Sequence, residues 1–123
     1  MRIFKYKKFS KFAKQERISN AKLCEAIKEI EAGLIHADLG KNVFKQRVAR
    51  EKQGKSGGYR LIILYKIGEL AFFVHGFSKS EEKNISQAQE DKFKEIASLF
   101  LHLSDEEIDA LCAMKEFIEV KES

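Results

Sequence analysis

The residues with the clearest chemical potential in this sequence are basic. Lys45 and Arg47 stand two apart within Val43–Arg50, with Arg50 closing the segment. Arg60 opens an apolar run, Lys55 lies among the glycines before it, and Lys79 and Lys83 follow a second apolar run that ends at Phe77. Ammonium and guanidinium groups bind phosphate, the guanidinium through two parallel hydrogen bonds. Tyr59 and Phe77 are close to these cations in sequence and offer flat rings on which bases can stack. The indicated chemistry is recognition of a nucleic-acid phosphate and stabilisation of charge upon it.

Other chemistries have weaker claims. Gly54-Lys55-Ser56 has the ending of a phosphate-binding P-loop, but Ala49 occupies the place of its first glycine. A strand is expected to follow it where a P-loop requires a helix. His36, His75 and His102 are scattered, and Cys24 and Cys112 are far apart. Neither a metal nor another cofactor is expected from that spacing. No Gly-x-Ser-x-Gly elbow or Cys/His dyad is present. His75 lies in an apolar run on the expected Phe73–Phe77 face and reads two ways. It is either a proton-transfer group titrating near neutrality or a packed structural histidine.

The elements that must position these groups follow from hydrophobic period. The chain has 123 residues, 44% of them hydrophobic, which suits one domain with a real core. Arg2 to Tyr6 reads as a short edge strand, followed by a helical stretch from about Phe9 to Arg17. Ser19 suits the N-cap of a second helix that carries Leu23, Ala26, Ile27 and Ile30 on one stripe, and Gly33 suits its C-cap. Alternation then predicts strands over Val43–Arg50, Tyr59–Lys66 and Leu70–Phe77, with a glycine loop over 51–58. Together they form an antiparallel meander with Lys45 and Arg47 on one face. Phe93, Ile96, Ala97 and Phe100 mark a helix beginning near Ile85, and Ser104 with Glu107 forms a capping box for another. Cys112 lies on the apolar stripe of that last helix and reads as an inert buried thiol. The predicted fold is α+β: two N-terminal helices on a small curved antiparallel sheet, one or two C-terminal helices, and residues 104–120 as a helical extension of a single domain over 1–123.

Charge divides along the same line. Residues 1–60 hold 16 Lys/Arg against 6 Asp/Glu, a net +10, whereas residues 61–123 hold 7 against 13, a net −6. One half is a polyanion-binding candidate. No stretch approaches the roughly 20 apolar residues of a membrane span. With no apolar leader after Met1, a small cytosolic domain without membrane contact is expected.

Several runs carry a resemblance. Gln46-Arg47-Val48-Ala49-Arg50, then Gly54 through Arg60, then Phe77 through Glu81 occur in the order seen in the RelE/ParE superfamily of bacterial toxins. The chain is most similar to the RelE-like HigB group, whose versions of Gly-Lys-Ser-Gly-Gly-Tyr-Arg are its most specific motif. Leu103 through Glu107 and the Phe117-Ile118-Glu119-Val120 ending also fit the group.

The resemblance implies a type II toxin of the bacterial cytoplasm that enters the ribosomal A site and cuts messenger RNA without a metal. In that chemistry the 2′-hydroxyl attacks the adjacent phosphate while cationic side chains stabilise the phosphorane. It implies that Lys45 or Arg47 assists deprotonation or orients the phosphate, that Arg60 stabilises the transition state, and that Lys79 supplies a further cation. Ser80 stands where RelE has an arginine, Ser86 where RelE has a tyrosine, and Glu82 where the HigB-like group often has arginine. The general acid therefore stays open, with His75 as the candidate. The implied partners are a helix-turn-helix antitoxin of the HigA type, and operator DNA through that antitoxin. Two other readings keep the basic face without cleavage: a gyrase-directed or degenerate member of the superfamily, and a single-strand nucleic-acid binder.

Overall fold

In the computed structural model, residues 1–50, 54–79, 82 and 84–121 are described, with backbone alone over 54–57. The three apolar runs form β3 (Val43–Arg50), β4 (Gly54–Lys66) and β5 (Leu70–Ser78), an antiparallel meander as expected. Before it lie β1 (Arg2–Tyr6), α1 (Lys7–Gln15), α2 (Asn20–Glu31) and β2 (Ala37–Gly40). After it come α3 (Gln87–Phe100), α4 (Asp105–Ala113) and β6 (Phe117–Val120). The class is α+β, with four helices and one six-stranded sheet among the described residues.

The expected caps are in place. Ser19 accepts a hydrogen bond from the Lys22 amide, and Gly33 takes a left-handed φ of 81° just past α2. Ser104 and Glu107 make a reciprocal capping box. Ser86 and Gln89 make a second one at the start of α3, a signal that the apolar stripe alone does not reveal.

Four expectations are corrected. The sheet is mixed and not antiparallel, because β1 runs parallel to β5. β1 is also an inner strand: the order is β2-β3-β4-β5-β1-β6. Ile3 enters one core and Phe4 the other, so both faces of β1 are covered. Residues 104–120 are not all helix, since Lys115 adopts a left-handed φ of 63° and Phe117–Val120 pairs antiparallel with β1. The glycine-rich run is mostly strand, since β4 begins at Gly54, paired to Arg50.

Helices cover both faces of the sheet. On one, Phe9, Ala13, Leu23 and Ile27 of α1 and α2 pack on Leu61, Ile63 and Phe73. On the other, Phe93, Ala97 and Ile108 of α3 and α4 pack on Ile62, Leu64 and Phe72. Phe4, Phe72, Phe100 and Phe117 form the centre of this second core, with Phe117 centroids 5.0 Å from both Phe72 and Phe100. The chain ends are tied by Arg2, whose guanidinium meets Glu119 at 3.0 Å, Asp109 at 2.8 Å and Asp105 at 3.2 Å.

One irregularity changes which way a side chain faces. Ile62 pairs with His75 while Ile63 pairs with Phe73, so Val74 and His75 together oppose one residue of β4. This β-bulge moves His75 off the Phe73 face, where alternation had put it, and onto the face covered by α3.

Candidate functional site

The second core stops short of one end of the sheet. Its last members there are Val43 of β3, Ile62 of β4 and Val74 of β5. Beyond them the same face carries Lys45 opposite Ile62, and Arg47 opposite Arg60. The period-2 geometry of paired strands therefore places three cations side by side on a patch that α3 and α4 do not seal.

Each cation is in a distinct setting. Arg60 is 6% exposed, and burial together with the neighbouring Arg47 pulls its guanidinium below the ordinary range. Lys45 is half-buried and donates to Asn84 Oδ1 at 3.2 Å. Burial, then Arg60 and Arg47, lower its pKa, opposed in part by Glu90. That shift biases the ammonium toward releasing a proton, as a proton-transfer group must. Arg47 is exposed, and its Nε donates to His36 Nε2 at 3.0 Å. Among the described residues neither Lys45 nor Arg47 forms an ion pair within 4 Å, so both remain available to an incoming anion.

The other sequence candidates are dispersed. His75 lies two strands from Lys45, across Ile62, between the rings of Phe77 and Phe93. It lines a cleft of about 390 Å³ between α1 and α3. Its Nε2 is buried without a hydrogen-bond partner, since Glu82 is 3.7 Å away. Lys79 is exposed in the turn after β5, at the same end of the sheet as Arg60. Phe77 opposes Arg60 but is only 3% exposed, so it supports the patch from below. Tyr59 is 4% exposed and belongs to the opposite core, with Arg50 over its ring at 5.6 Å. Neither ring is presented to a base. Arg50 is thereby drawn to the reverse face of the sheet. Lys83 lies outside the described residues, as does the side chain of Lys55.

His36 and Gln46 are additions, the second lying within a quoted motif but given no role there, and so are Asn84 and Glu90. The available signal for the first two was the Gly40-Lys41-Asn42 turn. Read as a hairpin, it pairs Ala37 with Lys45 and brings His36 beside the basic strand. Among the described residues, no group of three or more His, Cys, Asp or Glu is placed to hold a metal.

His75 carries a pH consequence. Burial lowers its pKa from 6.5, with Glu82 opposing more weakly. Below pH 6.5 the unfolded chain therefore binds a proton that the folded chain refuses. Stability rises with pH through the window between the depressed value and 6.5, and is lost as pH falls. His36, also lowered, acts in the same direction. Urea denaturation across pH 5 to 8 is expected to show this slope and His75→Gln to flatten it. An unchanged slope in that variant would assign the effect elsewhere.

A family model described as the RelE toxin of the RelE / RelB toxin-antitoxin system matches residues 1–120. No curated protein and no solved structure matches the chain significantly.

Proposed function

The chain belongs to the RelE toxin family, and from that premise we propose that it is a metal-independent, ribosome-dependent endoribonuclease of the HigB-like type. The observation that carries this reading is the trio of Lys45, Arg47 and Arg60 on one face of the sheet beyond the last members of the second core, with Arg47 exposed at its rim. Phosphoryl transfer from a 2′-hydroxyl needs little covalent help from the protein. It needs an in-line geometry and compensation of charge on the phosphorane oxygens. Buried Arg60 suits that compensation, because a cation in a low-dielectric setting acts more strongly than one in water. Arg47, exposed at the rim, suits capture of the phosphate. Lys45 suits proton transfer at the 2′-oxygen, since its ammonium is already biased toward the free amine. The requirement for a 2′-hydroxyl restricts the substrate to RNA.

The family implies an antitoxin partner. We further propose that this partner is a helix-turn-helix protein of the HigA type, that it carries the complex to operator DNA, and that the toxin acts in the bacterial cytoplasm. No helix among the described residues is long and apolar enough to cross a membrane.

A reconstituted translation system with primer extension tests the activity. Addition of the protein is expected to give discrete cuts in translated message and none in free message. Intact message with arrested DNA supercoiling would replace this reading with the gyrase-directed one. Intact message with salt-sensitive oligonucleotide binding would replace it with simple single-strand binding.

A further inference from the structure

We propose that His36 is a positioning residue of this site, orienting Arg47 for the RNA phosphate, and that Gln46 locks His36 in place. The inference rests on the nuclease reading and adds to it His36, outside the family motifs, and Gln46, a motif position given no role there.

The geometry starts in the core. Gln46 alternates with Lys45 and Arg47, so its side chain points to the opposite face of β3, where it is 1% exposed. A buried amide must satisfy both ends. Gln46 does so on the segment between α2 and β2: its Nε2 donates to the Leu34 carbonyl at 3.0 Å, and its Oε1 accepts from the His36 amide at 2.8 Å. These two bonds fix the backbone of an otherwise exposed connection. The fixed backbone then presents the His36 ring to Arg47.

A guanidinium only donates hydrogen bonds. The 3.0 Å contact from Arg47 Nε therefore requires an unprotonated Nε2, with the ring proton on Nδ1. The charged groups acting on the ring are Arg47 and Lys45 from β3 and Arg60 from β4, all cations, and they hold it neutral together with partial burial. With Nε engaged, the side-on Nε/Nη clamp is closed to phosphate. The end-on pair of Nη groups is left facing outward, so His36 selects one of the two bidentate geometries open to arginine. Protonation of His36 removes the acceptor and adds a fourth positive charge, which releases Arg47.

The test combines message cleavage with NMR on the full chain. His36→Ala is expected to slow cleavage on the order of 100-fold, the scale of a misplaced reacting group. His36→Gln, which retains an acceptor oxygen, is expected to recover most of that loss. The wild-type pH profile should fall more steeply on its acid side than protonation of Lys45 alone gives, and that added steepness should vanish in His36→Gln. The double variant His36→Ala/Arg47→Ala should be no slower than Arg47→Ala alone. Independent, multiplying effects, or an acid limb as steep in His36→Gln as in the wild type, would overturn the assignment. In the RNA-free protein, the imidazole pKa should rise in Arg47→Ala, and the Arg47 Nε–H resonance should move in His36→Ala. Absence of cleavage by the wild type overturns the nuclease reading, and these NMR shifts then decide the His36–Arg47 link alone. Their absence would refute it.

Discussion

Arg60→Leu is expected to lower message cleavage by roughly two to three orders of magnitude, the usual loss when a donor to a developing oxyanion is removed. Growth arrest on induced expression should disappear with it. The reason lies in where the guanidinium sits. It is nearly buried, opposite Arg47 in the register and beside Phe77 of the adjoining strand, and burial and the neighbouring cation both act against its charge. A guanidinium held there attracts an arriving phosphate, and attracts the doubly charged phosphorane more strongly. That difference between ground state and transition state is what accelerates a reaction. Leucine fills the space without the charge, so the melting temperature should stay within a few degrees of wild type. Unchanged cleavage by a folded Arg60→Leu protein would remove Arg60 from the mechanism.

Phe117→Ala is expected to cost about 3–5 kcal/mol of stability, the range for truncating a large buried aromatic. Phe117 is 2% exposed, and its ring meets Phe4, Tyr6, Phe72 and Phe100. These neighbours belong to β1, β5 and α3, so the loss is not local. The last strand holds few other buried groups, chiefly Val120. Thermal melting should shift downward on the order of 10 °C or more. Proteolysis near residues 114–120 should appear at temperatures where the wild type resists it. A shift of only a degree or two would mean that β6 adds little to the second core. Ile118→Ala, at a position 37% exposed on the same strand, serves as the comparison and should change little.

The central strands and all four helices were legible because their signals are local. Val43–Arg50 alternates, Leu61 to Tyr65 is uniformly apolar as a strand buried on both faces must be, and Ser19 and Ser104 are caps by type and spacing. Arg2–Tyr6 was legible as a strand but not as an inner, parallel one, because its partners are about 70 and 117 residues away in sequence. Phe117–Val120 follows a helical stripe with neither glycine nor proline between, and the change of conformation rests on Lys115 accepting a left-handed φ. Ala37–Gly40 is four residues long and carries an aspartate and a glycine, too little for a period to register.

The candidate site was legible in its cations and obscure in its surroundings. Placing Lys45, Arg47 and Arg60 together needs only strand alternation and an antiparallel turn. The same alternation excludes Tyr59, which adjoins Arg60 and pairs with Val48 on the opposite face. The orientation of His75 needed the bulge, which no residue type in Phe73-Val74-His75 announces. His36 was hidden because its role depends on the amide of a buried glutamine on the other side of the sheet.

The placement of β1 between β5 and β6 bears on the order of assembly. The meander that carries the three cations is made of neighbours in sequence, and closing its turns costs little chain entropy. The Ile3↔Val120 pairing spans almost the whole chain, so it is the entropically dearest contact in the sheet. β1 can join β5 once the meander is made, but its other edge must wait for the last strand. The scaffold of the cationic patch is complete in sequence at Ser78, whereas the sheet supporting it closes only after Val120 has emerged from the ribosome.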